Sequence, residues 1–283
     1  MKFSKLISTS IVSLALLIGA TSQVRAESAG EALTKASVLE TIKRRGVMRV
    51  GISTFVPWAF RDKKGEFVGF EVDISKKIAE EMGLEVEFVP TSFSGIIPAL
   101  LAGKFDLIIT GISIQTKRAM TINYSNPYAQ SGQALVASRV LAEGFTTRDD
   151  FNKPEVVIST RRGTVGAKTA QALFPKAEHR FFEEDIQAFQ EVMNGKAHAF
   201  VALEPIPTLW ALAHEDVLFK PLGDQRLTNQ LSGFAVRRGD PDILAFLNSW
   251  IHMRQADNWL KQRHNFWFGT NEWYELLEVP PVQ

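Results

Sequence analysis

Short apolar runs and amphipathic stretches alternate along the chain from Val47 onward. Residues 48–52 carry the apolar run of a strand. Ile74, Ile78, Ala79 and Met82 then recur at helical spacing, which predicts a helix capped by Asp73 and closed at Gly83. Residues 85–89 alternate as a strand does, and residues 94–102 place Ile96, Ile97, Leu100 and Leu101 on a short helix ended by Gly103. Residues 107–109 form a buried-type strand running into Thr110 and Gly111. This β-α-β-α-β order argues for a mostly parallel sheet with helices on its faces.

The pattern then repeats. Residues 156–159 read as a strand, followed by a loop holding Gly163 and Gly166 and a helix over 167–173. A strand through Phe181 and Phe182, a helix over 186–194 and a strand over 199–202 complete a second unit. Two extended polar stretches, Tyr128-Ala129-Gln130-Ser131-Gly132 and residues 229–233, mark two crossings between the units. The expected organisation is a first lobe of residues 38–128 and 233–270, a second lobe of 133–229, and hinge segments at 128–132 and 229–233. Helices over 242–253 and 258–266 should fold back onto the first lobe, with Trp250, Trp259, Phe266, Trp267, Phe268 and Trp273 as packing residues. The tail after Gly269, with Pro280 and Pro281, reads as a loosely attached end.

The N-terminus changes the picture of where this fold works. Lys2 and Lys5 precede a short uncharged run ending at Ala20, and Val24-Arg25-Ala26 supplies small residues for cleavage. Residues 1–26 therefore predict a secretory signal cut after Ala26, and the run is too short for the roughly 18–20 residues of a membrane span. The remaining chain is longer than one core usually holds, in keeping with two lobes. The formal charge of +1 gives no basic surface for nucleic acid. With no cysteine there is no disulfide framework, thiolate metal site or lipid-accepting thiol, so a free periplasmic protein is expected. The five histidines, His179, His198, His214, His252 and His264, show no ligand spacing, and no nucleophile or phosphate-loop motif is present.

Ordered motifs in the first unit carry a resemblance. Gly65-Glu66-Phe67-Val68-Gly69-Phe70-Glu71-Val72-Asp73, then Phe93-Ser94-Gly95-Ile96-Ile97-Pro98-Ala99-Leu100 and Gly103-Lys104-Phe105-Asp106, lead to Gly111-Ile112-Ser113-Ile114-Gln115-Thr116-Lys117-Arg118 and Tyr124-Ser125-Asn126-Pro127-Tyr128. In order and spacing these resemble the polar amino-acid-binding proteins of ABC importers, the bacterial extracellular solute-binding proteins of family 3. Residues 93–100 are most similar to glutamine-binding members. The resemblance implies a periplasmic binding protein-like α/β fold of type II, with two lobes joined by a two-segment hinge. It implies a monomer that passes an amino acid or related small carboxylate to an inner-membrane ABC permease, without a cofactor.

A free amino acid presents a carboxylate, an ammonium and a side chain. Arg118 offers a planar fork for the carboxylate, at the carboxyl edge of a sheet where ligands of open α/β folds bind. Its other reading is a surface arginine paired to an acid. By resemblance Thr110, Gly111 and Ser113 line the first-lobe wall, and Phe55 and Phe93 sandwich the ligand, where ordinary core packing is the alternative. Trp58 reads as a packing residue. In the second lobe, Arg161-Arg162-Gly163-Thr164-Val165-Gly166 matches a loop that offers Thr164 and backbone N–H groups to the same carboxylate, aided by a helix N-terminus. Arg161 aligns with a lysine of glutamine-binding members, and Arg162 is either part of the site or solvated.

Two departures bear on specificity. Leu203 stands where the family commonly has an Asp for the ammonium, so either Glu204 takes over or no ammonium is bound there. Ile52 stands where glutamine-binding members have an Asp for the ligand side chain. An enzyme on the same scaffold, similar to cyclohexadienyl or arogenate dehydratase with Glu204 as general acid, is the competing expectation.

Overall fold

Helix α1 (Val38–Arg45) leads into strand β1 (Val47–Ile52), and β2 (Phe60–Arg61) and β3 (Phe67–Val68) form a small ribbon before helix α2 (Phe70–Met82). Strand β4 (Glu85–Pro90), helix α3 (Ile96–Leu101), strand β5 (Leu107–Ile108), helix α4 (Thr116–Ala119) and strand β6 (Asn123–Tyr124) follow. Strand β7 (Ala129–Ser131) crosses to β8 (Gln133–Ser138), β9 (Val157–Arg161), α5 (Val165–Leu173), β10 (Glu178–Phe182), α6 (Asp185–Met193), β11 (Ala199–Leu203), α7 (Ile206–Ala213) and β12 (Leu218–Phe219). The chain returns through β13 (Gln230–Ser232) to β14 (Ala235–Val236), α8 (Pro241–Ala256) and α9 (Trp259–Gly269). This computed structural model describes residues 37–277, so the expected signal segment and the two late prolines lie outside the described residues.

The two sheets share one plan. In the first, ordered β4-β1-β5-β14-β6, β1 runs parallel to both neighbours, with Val50 opposite Phe88 on one side and Leu107 on the other. Strand β14 closes it antiparallel to β5 and β6. In the second, ordered β10-β9-β11-β8-β12, β9 is parallel to β10 and β11, while β8 is antiparallel to β11 and β12. The crossings β7 and β13 pair with each other antiparallel, Ser131 opposite Gln230, and form a two-stranded ribbon between the sheets.

The apolar runs of the second unit are explained by burial on both faces. Leu135, Ala137, Ala199 and Val201 pack into one cluster, while the alternating Val136, Phe200 and Ala202 pack into another. The first unit has an aromatic core in which Trp58, Phe60, Phe70, Phe234, Trp250, Trp267 and Trp273 are all buried. Helices α8 and α9 supply much of it.

Two expectations are corrected. Helix α2 begins at Phe70, three residues before Asp73. Its first N–H groups need no side-chain cap, because Phe70 N–H donates to the Pro57 carbonyl (3.1 Å) and Glu71 N–H to the Trp58 carbonyl (2.8 Å). Gly69, at φ 129°, allows that approach, since a Cβ there would lie 2.5 Å from the Trp58 oxygen. Asp73 instead accepts from the Trp267 indole at 2.7 Å and ties α2 to α9. The tail after Gly269 is anchored rather than loose through residue 277. Trp273 is 1% exposed and its ring lies 5.8 Å from Phe60 and 5.7 Å from Trp267.

Candidate ligand-binding site

Strands β1 and β5 end side by side, and the Thr110 hydroxyl joins them. Its Oγ1 accepts from Ser53 N–H and donates to Ser53 O, both at 3.0 Å. The Thr110 hydroxyl is thereby spent on structure. The chain beyond β1 turns Phe55 onto Trp58, with the rings stacked at 5.8 Å, and beyond β5 it presents Gly111 and Ser113. The Ser113 hydroxyl donates to Gln230 Oε1 on the ribbon.

Arg118 sits on α4 and is 9% exposed. Its Nη1 donates to Ser113 O at 3.1 Å, and its Nη2 crosses to the second lobe to donate to Gly163 O at 3.0 Å. Both acceptors are neutral carbonyls. Among the described residues no carboxylate pairs with this guanidinium. Burial holds its pKa below the ordinary arginine value, with Tyr124 acting in the opposite sense, and an arginine remains charged regardless.

Arg161, at the end of β9 and 2% exposed, has the opposite character. Its guanidinium pairs with Glu184 at 3.0 Å and Asp185 at 3.2 Å, and donates through Nε to Glu183 O at 3.0 Å. It also crosses the cleft to Ser53 Oγ at 2.6 Å and Thr54 O at 3.2 Å. The Phe93 ring lies close to both arginines, 5.4 Å from Arg118 and 5.5 Å from Arg161. Arg162 is exposed and pairs with Glu183 at 2.9 Å.

Thr164 caps helix α5. Its Oγ1 accepts from Ala167 N–H at 3.1 Å and donates to Arg161 O at 2.7 Å. What this loop can still offer a ligand is the helix N-terminus itself.

These elements enclose a small cavity of about 40 Å³ between the lobes. The structure brings Phe55, Phe93, Gly111, Ser113, Arg161 and Thr164 together on its wall. Thr110 and Arg118 do not line it, although Arg118 lies against Phe93, which does. Glu204 points elsewhere: its carboxylate accepts from Thr208 Oγ1 at 2.9 Å and faces a separate cavity of about 320 Å³ with Lys220, Trp58 and Phe268. Leu203 looks into the ligand cavity instead, and Ile52 is fully buried in the first-lobe core.

Sequence reasoning missed Asp185 and Gln133, which also line the cavity. Burial raises the Asp185 carboxyl to about 6, against the opposing pull of Arg161. The signal for Asp185 was the run Glu183-Glu184-Asp185 at a helix start facing a basic loop. For Gln133 it was a lone amide opening an otherwise apolar strand. Among the described residues no group of three or more His, Asp or Glu is arranged to hold a metal ion. The arrangement combines buried arginines, aromatic rings and hydrogen-bonding groups from both lobes around one cavity, which suits binding of a small anionic or zwitterionic solute.

A sequence model of the bacterial extracellular solute-binding proteins, family 3, matches residues 48–270. The chain belongs to that family. This family 3 protein is 25% identical over 235 residues to the L-cystine-binding protein TcyJ of Escherichia coli K12, across 83% of this chain and 87% of the relative. It is also 25% identical over 232 residues to cyclohexadienyl dehydratase of Pseudomonas aeruginosa, across 82% of this chain and 86% of the enzyme. Among solved structures it resembles an ancestral amino acid-binding protein described as a precursor of cyclohexadienyl dehydratase. That match has 36% identity and a TM-score of 0.75, and covers 82% of this chain and 99% of the other. Among the described residues no helix is long and apolar enough to cross a membrane.

Proposed function

We propose that this family 3 solute-binding protein captures an amino acid or related small carboxylate in the periplasm and delivers it, as a monomer, to an ABC permease. One observation carries the carboxylate assignment. Arg118 is buried and charged, donates to neutral carbonyls with no carboxylate partner among the described residues, and lies against the Phe93 ring, which lines the interlobe cavity. A buried cation without a counter-charge is costly, and an incoming carboxylate relieves that cost through a charge-assisted, bidentate contact. Phe55 and Phe93 sandwich the bound solute, the α5 N-terminus faces its negative end, and closure about the ribbon excludes water.

The relatives support a binding role more broadly than an enzymatic one, although a dehydratase stands among them. We read this chain as non-catalytic. The Asp185 carboxylate on the cavity wall is held by Arg161, and Glu204 faces a different cavity. Neither is placed as a free general acid beside a substrate.

The test is mass spectrometry of the small molecules released when the purified protein is denatured, alongside an assay of prephenate and arogenate turnover. A released amino acid or other small carboxylate, with no turnover, is the expected result. A released compound without a carboxylate contradicts the Arg118 assignment, and turnover contradicts the non-catalytic reading.

A further inference from the structure

Gln133 opens β8 immediately after the crossing ribbon and is 3% exposed. Its side-chain Oε1 is buried with no hydrogen-bond partner among the described residues, and Gln133 is one of the residues that line the ligand cavity. The residue is firmly held by its backbone: its N–H donates to Thr228 Oγ1 at 3.3 Å and its carbonyl accepts from Leu227 N–H at 2.7 Å. The amide head is packed against Gly166 in the first turn of α5, where a Cβ would come within 2.6 Å of Oε1. Across the antiparallel pairing of β8 with β11, Gln133 stands directly opposite Leu203. Leu203, Ala202 and Ile206 make this side of the cavity apolar.

Other acceptors on the wall are engaged. Thr164 Oγ1 accepts from Ala167 N–H, Ser113 O accepts from Arg118 and Tyr124, and Asp185 is paired with Arg161. A buried acceptor left without a donor is destabilising, so the vacant valence at Gln133 favours any ligand that fills it.

We propose that Gln133 Oε1 accepts a hydrogen bond from an N–H or O–H on the carbon beside the ligand carboxylate. The site then reads the presence of a donor there rather than a positive charge. This rests on the assignment of the carboxylate to Arg118. With the carboxylate at the Arg118 end, the substituent on the next carbon reaches toward the second lobe. There it meets a neutral amide flanked by leucine. An amide oxygen accepts from a hydroxyl or from an ammonium; the bond to the ammonium is the stronger, but an ammonium costs more to desolvate beside Leu203, and the carboxylate on the wall, Asp185, is already paired with Arg161. The ligand class is therefore small carboxylates bearing an α-amino or α-hydroxyl group.

Calorimetric titration with matched series tests this: alanine, lactate and pyruvate; leucine, 2-hydroxyisocaproate and 2-oxoisocaproate; phenylalanine, 3-phenyllactate and phenylpyruvate. In the best-bound series the amino and hydroxy acids should bind within about tenfold of each other, with the oxo acid about tenfold or more weaker. Gln133→Leu should weaken the amino and hydroxy acids by about ten- to a hundredfold and leave the oxo acid within about twofold. Leu203→Asp, which places a carboxylate opposite Gln133, should shift preference toward the amino acid, and thermal melts check that each variant is folded. An equal loss for all three ligands in Gln133→Leu overturns the inference, as does a wild-type preference for the amino acid over the hydroxy acid above about a hundredfold. If Arg118→Ala abolishes binding throughout while Gln133→Leu acts evenly, the carboxylate assignment stands and this inference falls. With no binding in any series, both fall.

Discussion

At the residue scale, Glu71 shows how the first lobe carries a charge-bearing group in its core. It is fully buried and accepts from the Tyr128 hydroxyl at 2.7 and 2.8 Å and from the Gly111 backbone. Burial raises its carboxyl from 4.5 to about 8, against those hydrogen bonds. The folded state thus holds a proton that the unfolded chain releases near pH 4.5. Its stabilising contribution is full below pH 4.5, declines as pH rises, and is lost once pH passes about 8. The decline amounts to about 1.4 kcal/mol per pH unit across that window. Glu71→Gln keeps a neutral group in place, so urea unfolding from pH 5 to 9 should show a flatter stability profile than wild type. Parallel profiles would contradict the assignment. Asp185 shifts in the same direction, so only the difference between the two proteins isolates Glu71.

At the element scale, the alternation of strands and helices was readable because burial on both sheet faces writes continuous apolar runs into β8 and β11. Side-chain direction at strand ends was not. Neighbouring residues Leu203 and Glu204 leave the chain toward different cavities, and period-two geometry alone does not say which one faces the ligand. Gln133 and Asp185 were illegible for a related reason. Their roles depend on the β8–β11 register and on Arg161 reaching across from β9, which are long-range pairings. The start of α2 escaped because backbone carbonyls of Pro57 and Trp58, not a side chain, satisfy its first turn. The tail carried two conflicting signals, Trp273 as a packing residue and the later prolines as a loose end, and through residue 277 the tryptophan prevails. Trp273→Ala should lower stability by about 3–5 kcal/mol in urea titration, as for a fully buried large side chain. A loss below about 1 kcal/mol would return that segment to a loose end.

At the scale of the whole molecule, the lobes touch through more than the ligand cavity. Arg161 reaches Ser53 and Thr54, Arg118 reaches Gly163, Ser94 donates to Glu183 at 2.7 Å, and Lys168 donates to Gln115 at 2.8 Å. These contacts join the lobes directly in this structure, and under the proposed closure a solute adds its own to them. Removing the Arg161 bridge should enlarge the radius of gyration of ligand-free protein in small-angle scattering, with ligand restoring compactness. Identical ligand-free radii for wild type and Arg161→Ala would mean that the bridge does not govern closure.

The central claim is that Arg118 holds the carboxylate of the solute. Calorimetric titration of the co-purified ligand, after its removal by unfolding and refolding, into wild type and Arg118→Ala tests it most directly. Truncating one partner of a buried ion pair costs about 2–5 kcal/mol, so affinity should fall by about a hundredfold or more. Unchanged affinity in a folded Arg118→Ala protein would remove Arg118 from the site.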